Sequence, residues 1–150
     1  MDGIVLDGMG EKEYLWLEKG LRKMGFFSKL SLKQLAGVLP YMALVRFDKG
    51  AVVCAEGHPG DGFYLIYEGG VEVTKKGWDK PVASLKSGDF FGEMSLLFRQ
   101  PRTATVRTTK PSRLFALHAK DFTRMLKKNP AVARTLRAVA ETRRKALAQS

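Results

Sequence analysis

The 150-residue chain has 45% hydrophobic and 27% charged residues, a balance that suits one globular domain with a real core and excludes a disordered or fibrous chain. No apolar run approaches the roughly 20 residues that span a bilayer, the start Met1-Asp2-Gly3 lacks the basic region of a signal peptide, and the single Cys54 precludes an internal disulfide. A cytoplasmic protein is therefore expected. The formal net charge of +11 raises nucleic acid as a partner, but the cations run from Lys12 to Lys145 without an aromatic-interleaved cluster. The charge reads as a solvated surface that also attracts an anionic ligand.

In chain order, a helix is expected over residues 11–24, where Tyr14, Leu15, Leu17, Leu21 and Met24 recur at roughly helical spacing before Gly25. Ser31 can cap a second helix that ends before Pro40. Short β-type runs follow at 44–47, 51–54, 63–67, 71–74, 81–85, 103–107 and 114–117, divided by Gly, Pro and Asp clusters. Glu68-Gly69-Gly70 reads as a hairpin turn, and the Lys75–Lys80 stretch as an exposed loop with Trp78 at its tip. Cys54 sits in an apolar run and reads as a buried thiol. Helical character returns over 120–128, stops near Pro130 and resumes from Ala131 to about Ala148. Val132, Leu136, Val139 and Leu147 form one apolar stripe there, and Arg143 falls on it, so Arg143 requires a polar, anionic or aromatic partner. Helix-rich ends around a β-rich middle, with no repeat and no linker, read as one α+β unit.

The segment Phe90 to Val106 concentrates the chemistry. Gly92 permits a tight turn, and the residues after it can start a short helix whose free N–H groups face a phosphate. Glu93 supplies a carboxylate suited to a hydroxyl, and Arg102 a planar fork of donors that matches phosphate oxygens. Either residue alone is as well read as a helix-dipole partner or a surface ion pair. Together they suit a ligand carrying both a phosphate and a sugar hydroxyl.

Phe90-Phe91-Gly92-Glu93-Met94-Ser95-Leu96-Leu97 with Pro101-Arg102-Thr103-Ala104-Thr105-Val106 resembles the phosphate-binding cassette of the cyclic nucleotide-binding domain family. The likeness extends to Phe26–Leu30, to the acidic Gly-rich turn Glu56–Asp61 and to Phe63–Val73. Within the family the chain looks most like the cytoplasmic domains of bacterial cyclic-nucleotide-gated potassium channels. The resemblance implies an eight-stranded antiparallel, jelly-roll-like β-roll at about 44–118, lid helices at about 120–148, and a domain at 26–150 preceded by an N-terminal helical extension at 1–25. It implies that Glu93 accepts the ribose 2′-hydroxyl, that Arg102 pairs with the cyclic phosphate, and that backbone N–H groups around Gly92, Glu93, Thr103 and Ala104 complete that contact. Met94 belongs to the same cassette. The Thr103 hydroxyl can bond the exocyclic amine of a syn guanine, so cAMP and cGMP both stand as ligands. Phe91, Val71, Val73, Val82 and Leu85 are candidates for the base and sugar side of the pocket, or ordinary core, and Arg143 is a candidate cap on the purine.

The expected role is a ligand sensor that transmits binding through its C-terminal helix to a protein partner or fused effector, with neither cofactor nor metal. His58 and His118 show no metal-ligand spacing, and no nucleophile elbow or Walker loop is present, so no enzyme is expected. The alternative is the sensor part of a catabolite-activator-type transcription factor, without its DNA-reading helices.

Overall fold

The computed structural model describes residues 3–5, 9–59, 61–93, 96 and 101–149, with the side chains of 4, 5 and 143–149 outside that description. The chain divides into two compact units, a β unit (1–9 and 42–119) and a helical unit (10–41 and 120–150).

Among the described residues nine strands build the β unit: β1 Ile4–Val5, β2 Ala43–Phe47, β3 Val52–Cys54, β4 Gly62–Glu68, β5 Gly70–Thr74, β6 Ala83–Lys86, β7 Phe90–Phe91, β8 Thr105–Thr108 and β9 Ser112–His118. Eight of them lie within residues 43–118, the number the family resemblance implies, and the ninth comes from the N-terminal segment. They form two antiparallel sheets, ordered β1-β2-β9-β4-β7 and β3-β8-β5-β6. The sheets share one core: Val45, Phe47, Tyr64, Ile66, Leu114 and Ala116 from the first meet Val53, Cys54, Val71 and Val106 from the second. Alternation of side chains along each strand sets which residues enter that core.

The turn joining β4 to β5 needs glycine. Gly69 has φ +105°, and a Cβ there would lie 2.1 Å from the Ser112 hydroxyl. Ser112 Oγ in turn accepts from Gly70 N at 3.2 Å, which ties the hairpin to β9. Trp78 is exposed at its loop tip with the Lys75 ammonium 5.9 Å from the ring.

The helical unit holds α1 Glu11–Leu21, α2 Leu32–Val38, α3 Ala119–Lys128 and α4 Pro130–Gln149, with 3-10 turns at Gly25–Lys29 and Leu39–Tyr41. The first helix stops at Leu21 instead of continuing to residue 24, because the chain there tightens into i→i+3 bonding, Lys23 N to Gly20 O and Met24 N to Leu21 O. Ser31 caps α2 through a reciprocal box: Gln34 N donates to Ser31 Oγ at 3.1 Å and Ser31 N to Gln34 Oε1 at 2.9 Å. The Gln34 amide also donates to Ala131 O and Thr135 Oγ1, at 3.3 and 3.1 Å, and so binds α2 to the first turn of α4. Val132 and Leu136 of the expected stripe are buried and Val139 is half-buried. Leu147 lies outside the described side chains.

Candidate functional site

The site is built around Arg102, whose backbone is clamped before its side chain is placed. Arg102 N donates to His58 O and Gly57 N to Arg102 O, each at 2.8 Å, while Pro59 and Pro101 form a bridge. Gly57, with φ +83°, supplies the left-handed turn that aims both groups. Glu56 N then bonds Thr105 Oγ1 at 3.0 Å, which fixes the start of β8. The acidic Gly-rich turn is thus a cradle for the arginine.

The Arg102 side chain is only 11% exposed. Its guanidinium donates to Gly62 O and meets Asp61 Oδ1 at 3.4 Å. Gly62 opens β4 and pairs with His118 in β9, so the carbonyl that receives the guanidinium is part of the sheet. Arg102 Nε is buried and has no hydrogen-bond partner among the described residues. A buried N–H of a permanent cation left without an acceptor is costly, and an anion's oxygen is the natural group to satisfy it.

Gly92 completes the packing. It has φ +84°, and an added Cβ would lie 2.5 Å from Gly62 O and 2.6 Å from Arg102 Nη1. No other residue leaves room there for both groups. Glu93 follows in a helical turn and is 8% exposed. Acidic Glu93 and basic Arg102 therefore flank one glycine, as a ligand with a hydroxyl beside a phosphate requires.

Tyr64 and Cys54 belong to the core next to Asp61 and Arg102. The Tyr64 ring stacks on Phe91 at 5.2 Å and 19°, with His118 edge-on at 6.4 Å. Burial pushes the Tyr64 phenol up, and the charge of Asp61, which accepts its hydrogen bond, adds to the rise. Burial likewise pushes the Cys54 thiol from 9.0 up to about 12, against a downward pull from Arg102. Both groups stay neutral at physiological pH beside the guanidinium. A cleft of about 490 Å³ lies here, lined by β3 residues Val52, Val53 and Cys54 with Ala55, His58, Pro59, Asp61 and Arg102.

Of the residues singled out from sequence, Gly92 and Arg102 are in contact, and Glu93 adjoins them. Thr103 is exposed and Ala104 half-buried in the bend before β8. Val71 is core, and Val73, Leu85 and Phe91 pack against that core. Val82 is 43% exposed, its N–H bonded to Val73 O at 2.7 Å. Met94 lies outside the described residues, and so does the Arg143 side chain, although its backbone is within α4. Sequence reasoning did not assign Asp61, Gly62, Tyr64 or Cys54 to the site. Asp61 had a signal in the acidic Gly-rich turn, whereas a backbone acceptor such as Gly62 O leaves none.

A clamped arginine, a glycine that admits it and a buried glutamate form a seat suited to an anion on a β-roll. The chain belongs to the cyclic nucleotide-binding domain family, whose model matches residues 44–129. It is 32% identical over 123 residues to a cAMP-dependent protein kinase regulatory subunit of Emericella nidulans, covering 82% of this chain and 30% of that subunit. It is 36% identical over 124 residues to a cyclic nucleotide-gated potassium channel of Mesorhizobium japonicum, covering 83% and 34%. The chain thus spans about a third of the length of these relatives. Among solved structures, the N-terminal domain of a transcriptional regulator from Streptomyces coelicolor aligns with a TM-score of 0.73 and 34% identity, over 85% of this chain and 94% of that one.

Proposed function

We propose that the chain is a sensor for a purine 3′,5′-cyclic nucleotide, cAMP and/or cGMP, that binds its ligand without transforming it and needs no cofactor. The observation that carries this reading is the buried Arg102, clamped by the Glu56–Pro59 turn, its Nε without an acceptor among the described residues, beside Gly92 and Glu93. Arg102 pairs with the cyclic phosphate, Glu93 accepts from the ribose 2′-hydroxyl, and the N–H groups of the cassette complete the phosphate contact. Thr103, exposed at the start of the bend, bonds the guanine amine when cGMP is the ligand. The similarity to a kinase regulatory subunit named for cAMP supports cAMP as a ligand.

Binding is transmitted through movement of the C-terminal helix to a protein partner or fused effector in the cytoplasm. The break between α3 and α4 at Asn129 supports a hinge: Asn129 O accepts from Ala133 N at 3.0 Å, while its side chain donates to Met125 O at 2.9 Å. A ligand shifts that helix only through contacts it makes better in one position than in the other. The likeness to the Streptomyces coelicolor domain favours a second reading, the sensor part of a transcription regulator, for which the same ligand chemistry holds.

Titration of Arg102→Ala should show affinity for either cyclic nucleotide reduced roughly ten- to hundredfold, from a lost charge-assisted contact of about 1.5–3 kcal/mol. Glu93→Ala should bind more weakly and lose its discrimination against 2′-deoxy analogues. Parent-like binding by both variants would sink the assignment. Hydrogen exchange in residues 131–142 that is identical with and without nucleotide would remove the helix from the signal.

A further inference from the structure

The net charge of the chain is segregated. The helical unit holds fifteen Lys and Arg against five Asp and Glu, whereas the β unit holds eleven against ten. Ten of the eleven net positive charges therefore reside in the helical unit. Twelve of those cations have described side chains, and all twelve are exposed. Among the described residues they make one ion pair, Arg124 with Asp121 at 3.3 Å.

Residues 11–23 carry four cations and three carboxylates, Glu11, Glu13 and Glu18, and the four cations share one side. Leu17 and Leu21 are fully buried, and the opposite face carries Lys12, Leu15, Lys19 and Arg22 at spacings of three and four residues, with Lys23 beside them. Lys19, Arg22 and Lys23 line an open cleft of about 420 Å³. In the middle of the row Leu15 is 53% exposed. Lys19 complements the C-terminal end of the helix dipole, which accounts for one cation but not for the row or for the leucine.

We propose that this face of α1 docks on an anionic lipid bilayer surface. The cations meet phosphate headgroups, and Leu15 enters the acyl boundary between them, the division of labour of an interfacial amphipathic helix. Nucleic acid fits less well. Its readers add Asn, Gln, Ser and Thr donors to their cations, and the segment 11–23 contains none of these. No helix among the described residues is long and apolar enough to cross a membrane, so the attachment is peripheral and salt-sensitive.

The test is co-sedimentation of the full chain with vesicles of phosphatidylcholine alone and of phosphatidylcholine mixed with phosphatidylglycerol. Binding is expected only to the anionic vesicles at roughly 0.1 M salt, and should be lost near about 0.5 M. Combining Lys12→Gln, Lys19→Gln, Arg22→Gln and Lys23→Gln should weaken it on the order of tenfold or more. Leu15→Ser should weaken it several-fold with the charge unchanged. All five positions are exposed, and far-ultraviolet circular dichroism confirms that each variant is folded. Equal pelleting with both vesicles, or anionic pelleting that Leu15→Ser leaves intact, overturns the proposal. In the second case, binding of a duplex oligonucleotide would identify nucleic acid as the anion recognised.

Discussion

One methyl group at Gly92 separates backbone strain from loss of the arginine's seat. Gly92 and Gly50 have nearly the same dihedral, φ +84° and +83°, but a Cβ at Gly50 meets nothing within 4 Å. Alanine in the left-handed region costs about 1–2 kcal/mol at either site. At Gly92 the added carbon also falls 2.5 Å from Gly62 O and 2.6 Å from Arg102 Nη1. Gly62 O is held in the β4–β9 ladder, so the Gly92 turn must back away from that carbonyl and the guanidinium must leave it. Losing its bond to that carbonyl adds about 1.5–3 kcal/mol. Gly50→Ala should thus lower the melting temperature by about 2–8 °C and Gly92→Ala by about 5–20 °C, at roughly 2–4 °C per kcal/mol for a chain of this size. Cyclic nucleotide affinity should be unchanged in the first variant and reduced at least about tenfold in the second. Thermal denaturation and calorimetric titration on the same samples supply both readouts. Equal melting shifts with parental affinity in Gly92→Ala would refute the idea that this glycine exists to seat Arg102.

Three further outcomes follow from the same geometry. Thr103→Ala should lower cGMP affinity more than cAMP affinity in competition titrations, and an equal effect on both would leave Thr103 without a role in base selection. Gln34→Glu keeps an acceptor for Ser31 N but removes the donor to Ala131 O and Thr135 Oγ1, so it should cost about 1 kcal/mol and speed amide exchange in residues 131–135. Gln34→Ala loses both connections and should cost about 2 kcal/mol by denaturant titration. Cys54, its folded thiol raised from 9.0 to about 12, contributes stability that is full below pH 9 and declines as pH rises through that window, because the unfolded thiol ionises first. Cys54→Ser should flatten that part of the pH–stability curve, and native Cys54 should resist alkylation near neutral pH.

The sequence made the β-rich middle legible because strands and turns leave local marks. Short β-branched and aromatic runs are separated by glycines such as Gly50, Gly57, Gly69 and Gly77, all of which adopt positive φ. Strand β7 was missed, since two adjacent phenylalanines show no alternation and Phe91 becomes a strand residue only by pairing with Tyr64. The predicted 81–85 strand starts at Ala83 because Pro81 cannot donate to a ladder. Glu93 and Arg102 were readable as a pair of complementary chemistry close in the chain. The seat of Arg102 was not, because Gly62 lies forty residues away and contributes only its backbone. The charge looked evenly spread along the sequence, and only the division into two units placed nearly all of its net value in the helical unit.

Whether the Arg102 seat receives the phosphate of a cyclic nucleotide is decided by calorimetric titration of the intact chain with cAMP, cGMP and 5′-AMP. A saturable isotherm is predicted with at least one cyclic nucleotide, much weaker binding of the open monophosphate, and affinity lowered roughly ten- to hundredfold in Arg102→Ala. No heat with either cyclic nucleotide, or 5′-AMP binding as tightly as the cyclic compounds, would contradict it.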